Sequence, residues 1–305
     1  MGADRYYTRC GMASPEPITE RRRPEHADLD LRPTRELVEL INDEDALVAP
    51  AVRQAAGQLA AAIDGIVVRL RGGGRLVYAG AGTSGRLAQV DAAECGPTFG
   101  VPSELVTAVV AGGVEVGAPE AVEDDAAAGA VDLRATRVGA ADAVVVLSAS
   151  GSTPYCLGAA RAARDAGALL VCVCCTEGSQ LGRLADHEIV VALGPEVIAG
   201  STRLKAGTAQ KLVLNTISTV AMVKLGRTFG NLMVDVVAGN DKLRRRARRA
   251  VSAATGASDE ESAATLAAAG GDVRVAIVSI LAEVEPDTAR ARLEAVGGSV
   301  REALG

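Results

Sequence analysis

Short apolar strands alternate with helical segments through the middle of the sequence, and this alternation limits the possible folds more than any other feature. Strands are predicted at residues 75–79, 105–110, 143–147, 169–174 and 188–192. The segments between most of them carry the three-and-four spacing of apolar residues that marks amphipathic helices. This order of elements is typical of a doubly wound parallel sheet, so we predict an α/β fold of that class.

Helical segments flank this unit on both sides. Amphipathic helices at 34–41 and 46–70 precede the first strand, and a long helix at 202–224 follows the last. Beyond Asn240 the pattern predicts only short helices, with a capping box beginning at Ser258. We therefore expect one sheet domain with N-terminal helices at 19–240 and a small helical C-terminal domain at 241–305. Residues 1–18 lack periodicity and contain a second methionine, Met12, so we expect a disordered tail or a misassigned start.

Charge and composition narrow the function classes. The chain has 305 residues, a net charge of -6 and a pI near 5.2, which disfavours general binding to nucleic acid or to membrane surfaces. The basic run at 244–249 is interpreted as a solvated or subunit-facing helix surface. No window holds the roughly 18 apolar residues of a membrane span, and no secretion signal opens the chain. A cytoplasmic protein that acts on a small molecule is the expectation.

The cysteines and histidines give little support for a metal centre. Three of the six cysteines crowd into the apolar run 171–175, where we predict buried thiols in a reducing compartment. A zinc site needs paired ligands from separate segments, and His26 and His187 lie near no cysteine in sequence. We therefore predict neither a metal ion nor an organic cofactor.

A glycine-rich loop follows the first strand and opens a helix. Residues 80–85 match G-x-G-x-x-G, the fingerprint of dinucleotide-binding folds. A nicotinamide enzyme also needs an acidic residue at the end of the second strand to hold the ribose. Here that strand ends in Val110, Ala111 and two glycines, so a nicotinamide site is disfavoured.

Hydroxyl side chains follow two strands at the points where helices begin. Backbone N–H groups and the helix dipole at such points favour an anion. One loop alone would more often be a helix cap with spare hydroxyls, whereas two at one sheet edge favour a phosphate monoester. The start of the long helix adds Ser201 and Lys205, which would meet a phosphate or a carboxylate, or else form a capped helix end with solvated charges. The predicted ligand contacts are Gly82, Thr83, Ser84, Ser148, Ser150, Ser152, Thr153, Ser201 and Lys205.

Longer motifs resemble a known family. Residues 76–93 and 144–155 resemble the two signature loops of the sugar isomerase (SIS) domain. From about Thr19 to the C-terminus the chain resembles, more specifically, the N-acetylmuramic acid 6-phosphate etherases, which are also related to the glucokinase regulatory protein. The motifs that carry this resemblance are at residues 41–45, 80–87, 91–95, 205–211 and 229–235.

The resemblance implies two catalytic glutamates. One is Glu94, and the second is Glu123, for which Glu120 is the alternative because it lies one helical turn earlier on the same face. The resemblance also implies a homodimer with each site near the subunit boundary. At Ser152 we would expect a larger polar residue, so contacts there are expected to differ from those of the family.

The implied reaction has a chemical reason for two carboxylates. The C1 aldehyde of the open sugar acidifies the proton at C2, and its removal lets the ether oxygen at C3 depart if that oxygen gains a proton. We expect Glu123 to act as the base and Glu94 as the acid, with Glu94 then activating the water that adds. The products would be N-acetylglucosamine 6-phosphate and D-lactate. Glutamates whose pKa is raised in a partly buried site suit these roles.

Two other functions use the same loops. An aldose–ketose isomerase also needs a base beside C1 and C2 but no acid at a C3 ether. A sugar-phosphate sensor resembling the glucokinase regulatory protein would bind without turnover and has no chemical reason to keep a pair of carboxylates.

Overall fold

The computed structural model describes residues 18–113, 120–235 and 241–305. The predicted tail or misassigned start at the N-terminus lies almost wholly outside the described residues.

Five parallel strands form the central sheet, in the order β2-β1-β3-β4-β5. The sequence reverses direction across the sheet at β1 and β3, which lie side by side with every residue buried. This arrangement confirms the predicted doubly wound parallel sheet. The strands are β1 Leu76–Gly80, β2 Val106–Val110, β3 Ala143–Leu147, β4 Leu169–Cys174 and β5 His187–Val190.

Helices cover both faces of the sheet because the strands direct apolar side chains to both faces. One face packs against α3, α4 and α7 through side chains such as Tyr78 and Leu147. The other packs against α5 and α6 through side chains such as Val77 and Val146. The helices are α1 Thr34–Asp45, α2 Val48–Gln54, α3 Ala56–Arg71, α4 Gly82–Phe99, α5 Ala126–Ala135, α6 Pro154–Asp165 and α7 Lys205–Lys224.

Two predicted helices differ from the structure. The single helix expected at 46–70 is two helices, because the backbone at Ala55 leaves the helical region with ψ of 5°. The helix expected near 120–130 is a 3₁₀ turn, Glu120–Asp124, followed by α5. The backbone of Asp125 is extended, and its side chain accepts a hydrogen bond from the N–H of Ala128. Asp125 therefore caps α5 and separates it from the 3₁₀ turn.

The C-terminal helices build a core of their own. They are α8 Asp241–Thr255, α9 Asp259–Ala268, α10 Val273–Ala282, α11 Pro286–Ala295 and α12 Val300–Leu304. Ser258 caps α9 through the N–H of Glu261. Val234 and the hairpin of β6 Thr228–Phe229 and β7 Leu232–Met233 contribute to the same core, so its packing begins before residue 241.

Within the described residues, no single helix combines the length and the apolar character of a bilayer span. The bent pair Asp259–Ala268 and Val273–Ala282 meets that criterion when its two helices are taken together.

Candidate active site

A cavity of about 360 Å³ opens at the carboxyl edge of the sheet, between the loops that follow β1 and β3. In doubly wound sheets this crevice, where the strand order reverses, is the usual ligand site. Its volume lies in the range of small-molecule pockets. Its described lining includes the predicted contact residues Gly82, Thr83, Ser84, Ser148, Ser150, Thr153 and Ser201.

The loop after β3 is held in place by its own hydroxyl groups. The Oγ of buried Ser148 lies 2.8 Å from Oγ1 of Thr153 and accepts the N–H of Gly151 at 3.1 Å. Ser152 is not among the lining residues; its Oγ donates to Ser150 Oγ at 3.0 Å and so braces its neighbour. The loop thus presents hydroxyls at the start of α6 without rearrangement, which suits an anion. Direct phosphate contact remains a prediction for these residues.

The glycines of the loop after β1 allow the helix to pack directly on the strand. A Cβ at Gly85 would stand 2.6 Å from the carbonyl oxygen of Gly80, so only glycine fits there. Gly82 begins α4 with φ of +52°, a conformation that glycine adopts without strain. Two of the glycines in the G-x-G-x-x-G match therefore serve close packing and a tight turn at the N-terminus of α4.

Glu123 places a carboxylate inside this cavity. Its Oε1 lies 2.6 Å from the position that a Cβ would occupy on Gly82, so the carboxylate lies against the first residue of α4. The 3₁₀ turn that carries Glu123 packs against α6. The side chain of Glu120 lies outside the described residues, so the alternative assignment to Glu120 is untested.

Glu94 lies outside the cavity of its own chain. It is on α4, about 18 Å along the helix from Gly82 at a rise of 1.5 Å per residue. Its side chain is 67% exposed, and its Oε2 lies 3.9 Å from Nζ of Lys211 on α7. A single chain therefore does not bring the two predicted catalytic glutamates together.

Lys205 is buried, and it is not among the described residues that line the cavity. Its Nζ donates to Glu44 Oε2 and to the carbonyl oxygens of Leu193 at 3.1 Å and Pro195 at 3.0 Å. Glu44 also pairs with Arg23, whose Nη1 lies 2.6 Å from Oε1. These three acceptors occupy the three ammonium protons of Lys205, and contact between Lys205 and a ligand stays a prediction. A buried lysine needs a carboxylate partner, and the motif at 41–45 contains it.

Comparisons with known proteins agree with this geometry. The glucokinase regulatory protein N-terminal SIS domain model matches residues 58–164, and the SIS domain model matches residues 120–219. An N-acetylmuramic acid 6-phosphate etherase of Rubrobacter xylanophilus is 59% identical over 292 residues, which cover 95% of this chain and 96% of that protein.

The chain belongs to the N-acetylmuramic acid 6-phosphate etherase family. The etherase of Streptomyces coelicolor is 50% identical over 94% of this chain and 93% of its own length. The etherase of Aeromonas hydrophila is 46% identical over 93% of this chain and 96% of its own length. The family resemblance expected from the motifs is therefore confirmed.

A solved phosphoheptose isomerase from Francisella tularensis is 21% identical, with a TM-score of 0.48, and matches 61% of this chain and 98% of its own length.

Some residues that line the cavity of this etherase family member have no role in the sequence-based prediction. Arg86 and Arg203 line the cavity, as do Thr19 and Glu20. Thr19 is buried, and its carbonyl accepts the N–H of Gly200 at 3.0 Å, so the start of the described chain lies across the loop before α7. The arginines follow the loop glycines closely in sequence, and that proximity is the signal that would have found them.

A buried carboxylate also fixes α4. Asp91 accepts hydrogen bonds from the hydroxyl of Tyr78 at 2.9 Å and of Ser218 at 3.1 Å. Burial raises the pKa of Asp91 despite these two donors. The three residues join β1, α4 and α7 one helical turn before Glu94, so they set the orientation of the helix that presents Glu94.

The thiols in the described part of the chain are buried, as expected. Burial raises the pKa of Cys156 and of Cys175 to about 12. Cys172, Cys174 and Glu188 bring three potential ligand atoms within 4.8 Å of one another, through contacts between neighbouring strands that spacing in the sequence does not reveal. Structural zinc sites take four ligands. The absence of a metal cofactor stays a prediction.

Proposed function

We propose that this chain cleaves the D-lactyl ether of N-acetylmuramic acid 6-phosphate and releases N-acetylglucosamine 6-phosphate and D-lactate. One observation carries the proposal: Glu123 holds a carboxylate at the N-terminus of α4, in the same cavity as the hydroxyl loop after β3. Etherases with that name are 46% to 59% identical over nearly the whole chain.

The mechanism begins with the sugar anchored by its phosphate. The loop containing Ser148, Ser150 and Thr153 offers hydroxyls, N–H groups and the dipole of α6 to the phosphate oxygens. The ring-opened sugar then presents C2 to Glu123. A base fixed near this carbon gains from orientation as well as from proton affinity.

Elimination and hydration follow in two stages. Glu123 takes the proton from C2, and the electron pair is first held as an enolate delocalised onto the oxygen of the C1 aldehyde. That pair then forms the C2–C3 double bond as the C3–O bond breaks. Glu94 gives its proton to the departing oxygen, which leaves as D-lactate. Glu94 then takes a proton from water, the hydroxide bonds to C3, and Glu123 returns a proton to C2. Each carboxyl group ends in its starting state.

Glu94 must come from a second copy of the chain. The distance of about 18 Å along α4 separates it from its own cavity, and an exposed carboxylate on a helix surface is available to a neighbour. In a twofold dimer each α4 can supply Glu94 to the cavity of the other subunit. The functional unit is therefore a homodimer, acting on a sugar phosphate in the cytoplasm.

Isotope labelling tests this reaction. In H₂¹⁸O the label is expected on the C3 hydroxyl of N-acetylglucosamine 6-phosphate and not in D-lactate, because the C3–O bond breaks. In D₂O the sugar product is expected to carry deuterium at C2. Label in the lactate would contradict the mechanism. A ketose product would indicate an isomerase, and binding without turnover a sensor; either result would refute the proposal.

A further inference from the structure

Two guanidinium groups, those of Arg86 and Arg203, line the cavity. Arg86 and Arg203 are both exposed at its lining, and in the described part of the chain neither makes a hydrogen bond or an ion pair. The loop after β3 supplies only neutral donors through Ser148, Ser150 and Thr153. Since that loop and a helix N-terminus suffice for a phosphate, the guanidinium groups remain for a second anion.

The position of Arg86 relates it to the reacting carbons. Arg86 is on α4, four residues after Gly82, so the two residues lie on one face of the helix a single turn apart. Long side chains of a helix lean toward its N-terminus, which directs the guanidinium back toward Gly82. The Glu123 carboxylate lies against that same glycine. Arg86 and Glu123 thus face the same end of the cavity.

The substrate of the proposed reaction has its second anion near this point. The lactyl carboxylate is joined through the ether oxygen to C3 and is only a few covalent bonds from C2. A sugar whose C2 is presented to Glu123 therefore carries this carboxylate within reach of the first turn of α4. Arginine binds a carboxylate through two parallel N–H···O hydrogen bonds, which fixes orientation as well as charge.

We propose that Arg86 is the binding residue for the lactyl carboxylate, and this inference rests on the proposed function. The subsite distinguishes a carboxylate-bearing ether from sugar phosphates that lack one. It also assists turnover, because the sugar product has lost the group that Arg86 holds. Arg203, which borders the loop before α7, has no such relation to Gly82.

Two non-reacting sugars separate this role from phosphate binding. The first is the 1,5-anhydro form of N-acetylmuramic acid 6-phosphate, which has no C1 aldehyde and cannot eliminate. The second is the same anhydro sugar with an O-ethyl group in place of the lactyl group. Calorimetric Kd values are measured for both sugars with the wild-type homodimer and with Arg86→Gln, Arg86→Lys and Arg203→Gln.

Wild-type protein is expected to prefer the lactyl sugar by about 10- to 100-fold, which is the range for a charge-assisted hydrogen-bonded pair. Arg86→Gln is expected to abolish this preference while changing the Kd of the ethyl sugar less than about threefold. Arg86→Lys is expected to keep part of the preference, since lysine retains the charge but cannot donate two parallel hydrogen bonds to a carboxylate. Arg203→Gln serves as the matched control, and it is expected to change both Kd values by the same factor.

Retention of the full preference in Arg86→Gln would overturn the assignment, and so would its loss in Arg203→Gln alone. Failure of the proposed function is recognised separately. In that case wild-type protein releases no D-lactate from N-acetylmuramic acid 6-phosphate, whatever the two anhydro sugars do.

Discussion

Oε1 of Glu123 lies 2.6 Å from the point where a Cβ would stand on Gly82. The loop after β1 and the 3₁₀ turn before α5 are therefore in close contact at the lining of the cavity. A methyl group at residue 82 would collide with the carboxylate that we assign as the base. The smallness of Gly82 is therefore a requirement of the proposed chemistry as well as of the turn.

Gly82→Ala is expected to lower kcat by at least about 100-fold, because displacement of a catalytic group by about 1 Å has effects of that size. Gly73→Ala is the matched control, since Gly73 also has positive φ, +83°, but nothing within 4 Å of a Cβ. Both variants are expected to lose about 1 kcal/mol of unfolding free energy from backbone strain. Comparable kcat losses in both would contradict the role of the contact.

Glu94→Ala and Glu123→Ala are expected to separate the two proton transfers. In D₂O the first variant is expected to exchange the C2 proton of the substrate while releasing D-lactate at least about 100-fold more slowly. The second is expected to do neither. Proton NMR of the recovered sugar measures the exchange. Exchange by Glu123→Ala but not by Glu94→Ala would reverse the two roles.

Ser150→Ala and Ser152→Ala form a pair that tests the hydroxyl loop. Ser150 lines the cavity, whereas Ser152 only donates to Ser150. Loss of a hydrogen bond to a charged group predicts a weakening of about 10-fold or more in N-acetylglucosamine 6-phosphate binding for Ser150→Ala. Ser152→Ala is expected to weaken it less than about threefold, as measured by calorimetry. An equal loss in both variants would contradict the distinction between the lining hydroxyl of Ser150 and the supporting hydroxyl of Ser152.

The buried pair of Glu44 and Lys205 predicts a coupled effect on stability. Removal of one partner leaves a buried charge unpaired, so Glu44→Gln is expected to cost about 3 kcal/mol. The double variant with Lys205→Met is expected to cost less than the sum of the single variants. Glu39→Gln is the control on the same helix, since Glu39 forms an exposed pair with Arg35, and it is expected to cost under about 1 kcal/mol. Urea unfolding measures all four free energies, and additive costs would contradict the coupling.

The pair of Glu44 and Lys205 also predicts how the free energy of unfolding depends on pH. Burial alone would raise the pKa of Glu44, but Arg23 and Lys205 outweigh it and hold the pKa below its ordinary value of 4.5. The ionised form therefore stabilises the fold above pH 4.5, and this contribution is lost as pH falls through the lowered pKa. The stability difference between wild type and Glu44→Gln is expected to be constant near neutral pH and to shrink below pH 4.5. A difference that grows in acid would contradict the assignment.

The sheet could be predicted from the sequence because its strands are short, apolar and separated by helices. This pattern can be recognised within short stretches of the chain. The position of the cavity could also be predicted, since parallel strands bring the loops that follow them to one edge of the sheet. By contrast, the pairing of Lys205 with Glu44 joins residues 161 positions apart, and no local pattern reports it. Both α2 and α3 pack against α7, and α3 also packs against β3, β4 and β5, so the break at Ala55 lies in a tertiary setting that helical periodicity alone does not reveal.

The exposure of Glu94, outside the cavity of its own chain, could not be predicted from its motif. Its motif indicates a catalytic residue, but the motif does not say whose cavity it serves. Symmetry between subunits is a property of the assembly, and a single chain carries no local trace of it.

Mixed dimers of Glu94→Ala and Glu123→Ala test the central claim, that the two carboxylates meet at one sugar across the subunit boundary. Each variant alone is expected to be inactive. When equal amounts are dissociated and reassociated, roughly half of the dimers are hybrids by random pairing, and each hybrid has one cavity with both glutamates. D-lactate release is therefore expected to recover to about one quarter of the wild-type rate. No recovery, with hybrids verified by mass spectrometry, would contradict the account.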